Sequence, residues 1–220
     1  NVPNYTPEGR KKSVSEFVIN CPWTAMKMNA RFVETIRELL ARTYRKLRLR
    51  LFVAGSLQRQ NDFLPFANMI FHALGKENVE LVTARAYGDF MKLMEEGDLS
   101  IDSYHFGGCN SVADSLFLRK PIVTWEYDKW YGRIGSAMLR MIGLDELIAT
   151  SEQDYLDKVL RLIHDDAYRD SMTKKLQQVD LDATIFSTKH APSFQTAIDY
   201  LIANHDQLKR EKSREPIRIT

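Results

Sequence analysis

Short apolar, β-branched runs recur along the chain up to about residue 150, and a helical segment separates most neighbouring pairs. Residues 16–21 ("EFVINC"), 49–55 ("LRLFVAG"), 79–83 ("VELVT"), 99–103 ("LSIDS") and 121–125 ("PIVTW") read as strands, with "ELIAT" at 146–150 as a short sixth. Between the first two, residues 29–46 place Phe32, Val33, Ile36, Leu39, Leu40 and Tyr44 three and four apart, which is one helical face. Further helices are expected at 62–74, stopped by Gly75, at 87–97, closed by Gly97, and at 129–141. Strands alternating with helices make βαβ units and a parallel sheet. Such a sheet is covered on both faces, so a strand like "LRLFVAG" need not alternate cleanly. From residue 151 onward the pattern is helical only. The fold predicted is α/β: a doubly wound, Rossmann-like parallel sheet with a helical C-terminal segment. Residues 1–15 read as a linker, 16–205 as the domain and 206–220 as a polar tail.

In open parallel sheets ligands collect beyond the carboxyl ends of the strands, where the strand order reverses. The loops to read are therefore "PWTAMKMN", "GSLQRQ", "ARAYGD", "YHFGGCNS" and "EYDKWYGR". The fourth says most. Gly107 and Gly108 lack Cβ, which lets a ligand approach the backbone and leaves φ unrestricted. Asn110 or Ser111 can cap the helix that follows, and its first turn favours an anion. Asp114 falls on the same face as Asn110, while Val112, Ala113, Leu116 and Phe117 form an apolar stripe. A carboxylate there suits a ribose, since it can accept from both hydroxyls. A plain capped helix start is equally compatible with these residues alone. Lys27, just ahead of the first helix, could reach a diphosphate. No Gly-Lys-Ser/Thr follows the glycines, so this is not a P-loop, and the first strand-to-helix loop has no glycine, so it is not a dinucleotide fingerprint.

The net charge of +2 gives no electrostatic case for nucleic acid. The basic runs "GRKK" and "YRKLRLR" read as solvated faces. Cys21 and Cys109 have neither metal nor disulfide spacing, which fits a reducing, cytoplasmic setting. No apolar run is long enough to span a membrane. The N-terminus, without Met or an apolar leader, reads as a cut inside a longer protein.

The stretch "YHFGGCNSVADSLFLRKPIVTWEYDKWYGRIGSAMLRMIGLDELIA" resembles the nucleotide-binding half of the O-GlcNAc transferase family. It is more similar still to that family's bacterial branch, the cytoplasmic N-glucosyltransferases of high-molecular-weight adhesins. The resemblance runs from "EFVINCPWTAMKMN" to "DLDATIFSTKHAPSFQTAIDYL". It implies the C-terminal domain of a two-domain GT-B glycosyltransferase that uses a UDP-sugar. "NSVAD" then puts Asn110 on the diphosphate and Asp114 on the ribose, and "TAMKMN" puts Lys27 on the diphosphate. The main chain of "ARAYGD", including Arg85 and Ala86, would read the uracil edge, and Trp125 and Glu126 would lie near the donor. Vertebrate-type members carry a His where this chain has Cys109, which favours the bacterial branch. The resemblance also implies a protein or peptide acceptor and an N-terminal acceptor-binding domain that this chain lacks.

No general base is nominated. Among the histidines, His105 is the one near the fourth loop; His72 reads as packing, His164 and His205 as exposed, and His190 has no evident partner. Tyr87 and Phe90 read as core. Asp180 and Asp182 form the chain's Asp-x-Asp but lie away from the strand ends, and with a Lys and a helix dipole available no metal is expected. A GT-B-like sugar-nucleotide enzyme with a non-protein acceptor, or a non-catalytic α/β interaction module, are the alternatives. The absence of clustered acids after the first strand weakens the second.

Overall fold

β1 (Phe17–Cys21) is buried along its whole length, and the sheet grows outward from it. β2 (Leu47–Phe52) pairs with it in parallel on one side, Phe17 opposite Leu47. β4 (Leu99–Ile101) pairs on the other, Ile19 opposite Leu99. With β3 (Val79–Val82), β5 (Ile122–Trp125) and β6 (Ile148–Ala149) the order is β3-β2-β1-β4-β5-β6, parallel throughout. This is the doubly wound sheet expected from the alternation. Its order reverses between β1 and β4, which leaves a crevice at their carboxyl ends. The computed structural model of the protein describes residues 3–9, 16–53, 60–83, 85–189, 191–211 and 217. The "GRKK" run apart from Gly9, most of the loop after β2, Ala84 and His190 lie outside them.

Local chemistry sets the helices. Asn29 caps α1 (Ala30–Arg42), its Oδ1 accepting from the Phe32 N–H at 2.9 Å. Phe32, Thr35, Ile36 and Leu39 form the buried face. The periodicity would carry this helix to residue 46, but Thr43 is already extended and Tyr44 is 77% exposed. The chain must leave the helix there because Leu47 has to reach its register opposite Phe17. α2 (Gln60–Leu74), α3 (Tyr87–Glu96), α4 (Asn110–Phe117) and α5 (Ile134–Met141) follow their strands. The helix expected over 129–141 is broken. A 3-10 turn at Trp130–Gly132 precedes α5, since Gly132 packs so closely that a Cβ would come within 3.0 Å of the His105 carbonyl.

The "YRKLRLR" run is not a solvated face. Arg48 and Arg50 belong to β2, and each is held by a carboxylate. Glu16 accepts from both Arg48 Nε and Nη2, at 3.0 and 2.9 Å, and Glu80 accepts from Arg50 Nε at 2.8 Å. Arg48 and Lys46 together hold the Glu16 carboxyl down at about 2. An arginine in a sheet is tolerated when its guanidinium is paired in this way.

The chain falls into two compact units, residues 1–179 and 180–220. The first holds the sheet, α1 to α5, and two of the C-terminal helices: α6 (Glu152–His164), capped by Ser151 and packed on β5 and β6, and α7 (Asp166–Gln178). The second holds α8 (Ala191–Ala203) and α9 (His205–Glu211). Asp180 opens a turn in that unit rather than a helix, its Oδ1 accepting from the Ala183 N–H at 2.9 Å. No helix of the described residues is long and apolar enough to cross a membrane.

Candidate functional site

Two loops from either side of the crevice meet. The Lys27 ammonium, at the end of a 3-10 turn after β1, donates to the Gly107 carbonyl at 3.0 Å and sits 5.3 Å over the Phe106 ring. Asn29 Nδ2 donates to the Tyr104 carbonyl at 2.6 Å, so the residue that caps α1 also ties down the loop after β4. Beneath them an aromatic cluster fills the space. Phe32 meets Trp23 and Tyr104 edge-on at 4.5 and 4.8 Å, and Tyr104 meets Tyr155 at 5.3 Å. Burial pushes the Lys27 pKa down, against the pull of Asp102 and Cys109. A partly desolvated ammonium whose protein partner is a carbonyl gains strongly from a nearby anion.

Asp102 organises the glycine turn. It is 4% exposed, and the Gly108 N–H donates to both its oxygens, at 2.8 and 3.0 Å. The Ser103 N–H adds a third bond at 2.9 Å. Burial pushes its pKa up to about 6 despite Lys27 and these donors. The carboxylate also explains the glycines. A Cβ on Gly108 would lie 3.0 Å from Asp102 Oδ1 and would crowd Ser111 Oγ, and one on Gly107 would lie 3.1 Å from Oδ2. Neither glycine has a positive φ. Backbone freedom, expected above as one reason for them, is therefore not what they supply. They make room for a buried carboxylate.

α4 starts at Asn110 with Cys109 as its N-cap, and no side chain caps it. The expectation that Asn110 or Ser111 caps the helix is thus not met. Asn110 is exposed at the first helical position, and Ser111 is half-buried, its carbonyl accepting from Ser115. With no side-chain cap, the positive end of the α4 dipole falls beside the exposed Cys109 and Asn110.

Asp114 is buried at 8% exposure, and Tyr87 Oη donates to its Oδ1 at 2.7 Å. Tyr87 is therefore not core. It is 43% exposed at the start of α3 and engages the carboxylate predicted to matter. Burial raises the Asp114 pKa, and the Tyr87 hydroxyl draws it back. Next to Tyr87, a cavity of about 310 Å³ is lined by Phe52, Val82, Thr83, Arg85, Tyr87 and Phe90. Arg85 and Ala86 are exposed, Ala86 as the N-cap of α3.

His105 packs between Trp125 and Tyr127, at 5.3 and 4.3 Å between ring centroids, and its Nδ1 is buried without a partner among the described residues. Glu126 takes the Arg140 guanidinium at 2.7 Å, which lowers its pKa. Among the described residues no group of three or more His, Cys, Asp or Glu side chains is placed to hold a metal ion. Asp102, Tyr87 and Tyr104 are the members of this constellation that the pattern did not single out. Asp102 sits at the end of a β-run, six residues before the glycine it holds, and that spacing is its only mark in the sequence.

The profile of glycosyl transferase family 41 matches residues 74–193. A probable UDP-N-acetylglucosamine–peptide N-acetylglucosaminyltransferase, SPINDLY of Solanum lycopersicum, is 27% identical over 77 residues, 35% of this chain and 8% of that protein. The Oryza sativa subsp. japonica relative of the same description is 30% identical over the same length and coverage. Among solved structures, a mutant of the Thermobaculum terrenum O-GlcNAc transferase superposes with a TM-score of 0.69 at 24% identity, over 80% of this chain and 34% of its own. Anabaena HepE in complex with UDP and glucose superposes with a TM-score of 0.54 at 15% identity, over 74% of this chain and 43% of its own. These superpositions show a shared GT-B half-fold. This chain spans less than a tenth of those curated relatives and about a third of the Thermobaculum protein. With more than half its length inside the profile, the chain belongs to glycosyl transferase family 41.

Proposed function

We propose that the chain is the UDP-sugar-binding half of a GT-B glycosyltransferase that transfers a hexose or N-acetylglucosamine to a protein Asn, Ser or Thr side chain. The observation that carries this reading is the meeting of Lys27 with the Gly107 turn at the β1/β4 crevice, just ahead of α4, which carries Asp114 one turn from its start. In it the diphosphate lies between Lys27 and the uncapped start of α4, bordered by Gly107, Gly108, Asn110 and Ser111. Lys27 exchanges the Gly107 carbonyl for phosphate oxygen. Asp114 holds the ribose, and the cavity beside Arg85 and Ala86 takes the base. As the glycosidic bond breaks, charge grows on the departing diphosphate, where an ammonium and a helix N-terminus stabilise it without a metal. UDP bound to HepE, a neighbour of the same half-fold, supports the donor class.

Cys109 at the position of the vertebrate-type His supports membership of the bacterial N-glucosyltransferase branch. Acceptor binding and activation of the acceptor are assigned to the part of such an enzyme outside the segment matched here. Titration calorimetry with UDP tests the reading. The wild-type chain is expected to bind, and Lys27→Ala and Asp114→Ala to weaken binding by about tenfold or more, the loss of one charge-assisted contact. No heat from the wild type, or unchanged affinity in both folded variants, overturns it.

A further inference from the structure

We propose that Tyr87 is a positioning residue: it aims the Asp114 carboxylate so that the site selects a sugar with free vicinal hydroxyls. The inference rests on the nucleotide reading above and adds a specificity element to it.

Three observations lead to it. First, Tyr87 reaches across from α3 to α4, and its hydroxyl donates to Asp114 Oδ1 at 2.7 Å. Second, among the described residues no donor meets Asp114 Oδ2, so one oxygen is fixed and the other remains to accept from a ligand. Third, the Tyr87 ring lines the cavity with Phe52, Val82 and Phe90, and lies near-parallel to Phe90 at 6.1 Å. One side chain therefore contacts both the proposed base cavity and the proposed ribose carboxylate.

The chemistry follows from burial. A carboxylate at 8% exposure has lost most of its water, so its orientation depends on the donors that replace it. With one donor fixing Oδ1, the carboxylate plane is set and Oδ2 presents its lone pairs in a defined direction. A vicinal diol can then donate to the carboxylate without rotating it. Remove the phenol oxygen and the carboxylate keeps its place in α4 but loses its fixed plane. Affinity falls only for ligands that use the carboxylate. Ring packing against Phe90 would survive in Tyr87→Phe, so cavity effects are separated from the hydroxyl.

The test compares UDP with 2′,3′-dideoxy-UDP, which shares base and diphosphate but has no ribose hydroxyls. Both are titrated into the full 220-residue chain and into its Tyr87→Phe variant, with thermal melts to confirm folding. Wild type is expected to prefer UDP by roughly tenfold, the size of one charged hydrogen bond. Tyr87→Phe is expected to lower UDP affinity about three- to tenfold and leave the dideoxy nucleotide unchanged, so the preference shrinks. In an Asp114→Asn background Tyr87→Phe is expected to change nothing further. Equal losses for both nucleotides, or a preference unchanged in Tyr87→Phe, overturn this inference and leave the nucleotide reading standing. A wild type that binds neither nucleotide overturns both.

Discussion

At the residue scale the controlling group is Asp102. It holds Gly108 with both oxygens and faces Lys27, and its pKa is pushed up to about 6. Its carboxyl is expected to titrate near pH 6, above the ordinary aspartate range, followed by carbon-13 carboxyl shifts. Lys27→Met removes the charge that lowers it, so the midpoint should rise further; a midpoint that stays or falls would show that Lys27 does not reach it. A carboxyl whose folded pKa is raised supports the fold fully below its unfolded value and loses that support as pH climbs through about 6. Legibility was uneven at this scale. Lys27, Asn110 and Asp114 stand out because they lie in a strand-to-helix loop or on the opening of the helix after the glycines, where a ligand in an open parallel sheet is sought. Asp102 does not, since an acid ending a strand looks like any loop residue until the fold buries it.

At the element scale, the glycine turn and α4 act as one piece. A methyl on Gly108 has no free space, with Asp102 Oδ1 at 3.0 Å and Val112 Cγ2 at 3.2 Å. Gly108→Ala is therefore expected to cost about 1–3 kcal/mol, the usual range for overpacking, and to weaken UDP binding because α4 must shift. Paired denaturant melts and calorimetry check both; an Ala variant as stable as wild type would mean that the turn is looser than this packing. Boundaries were the weaker part of the sequence reading. The face of α1 was legible down to Ile36 and Leu39, yet its end was not, because strand register rather than propensity stops it at Arg42. The 129–141 segment split for a similar reason: the approach of Gly132 to the His105 carbonyl is tertiary and leaves no mark in periodicity.

For the whole molecule, a ligand that binds the folded state alone stabilises it by mass action. UDP at a hundred times its Kd is expected to add about 2.7 kcal/mol, or roughly 5–10 °C in Tm for a domain of this size, read by thermal shift. A saturating concentration that moves nothing would contradict the site. The sequence by itself determined the class of the molecule: strands alternating with helices, the five principal strands near their final places, and a glycine turn after the fourth. Those follow from local periodicity and backbone chemistry, which a linear chain displays. Only the tertiary structure decided that β1 and β4 are neighbours, that Lys27 therefore meets Gly107, and that Asp102 and Tyr87 govern the turn and the carboxylate. Strand order and burial set those pairings, and both act between residues far apart in sequence, where no local pattern records them.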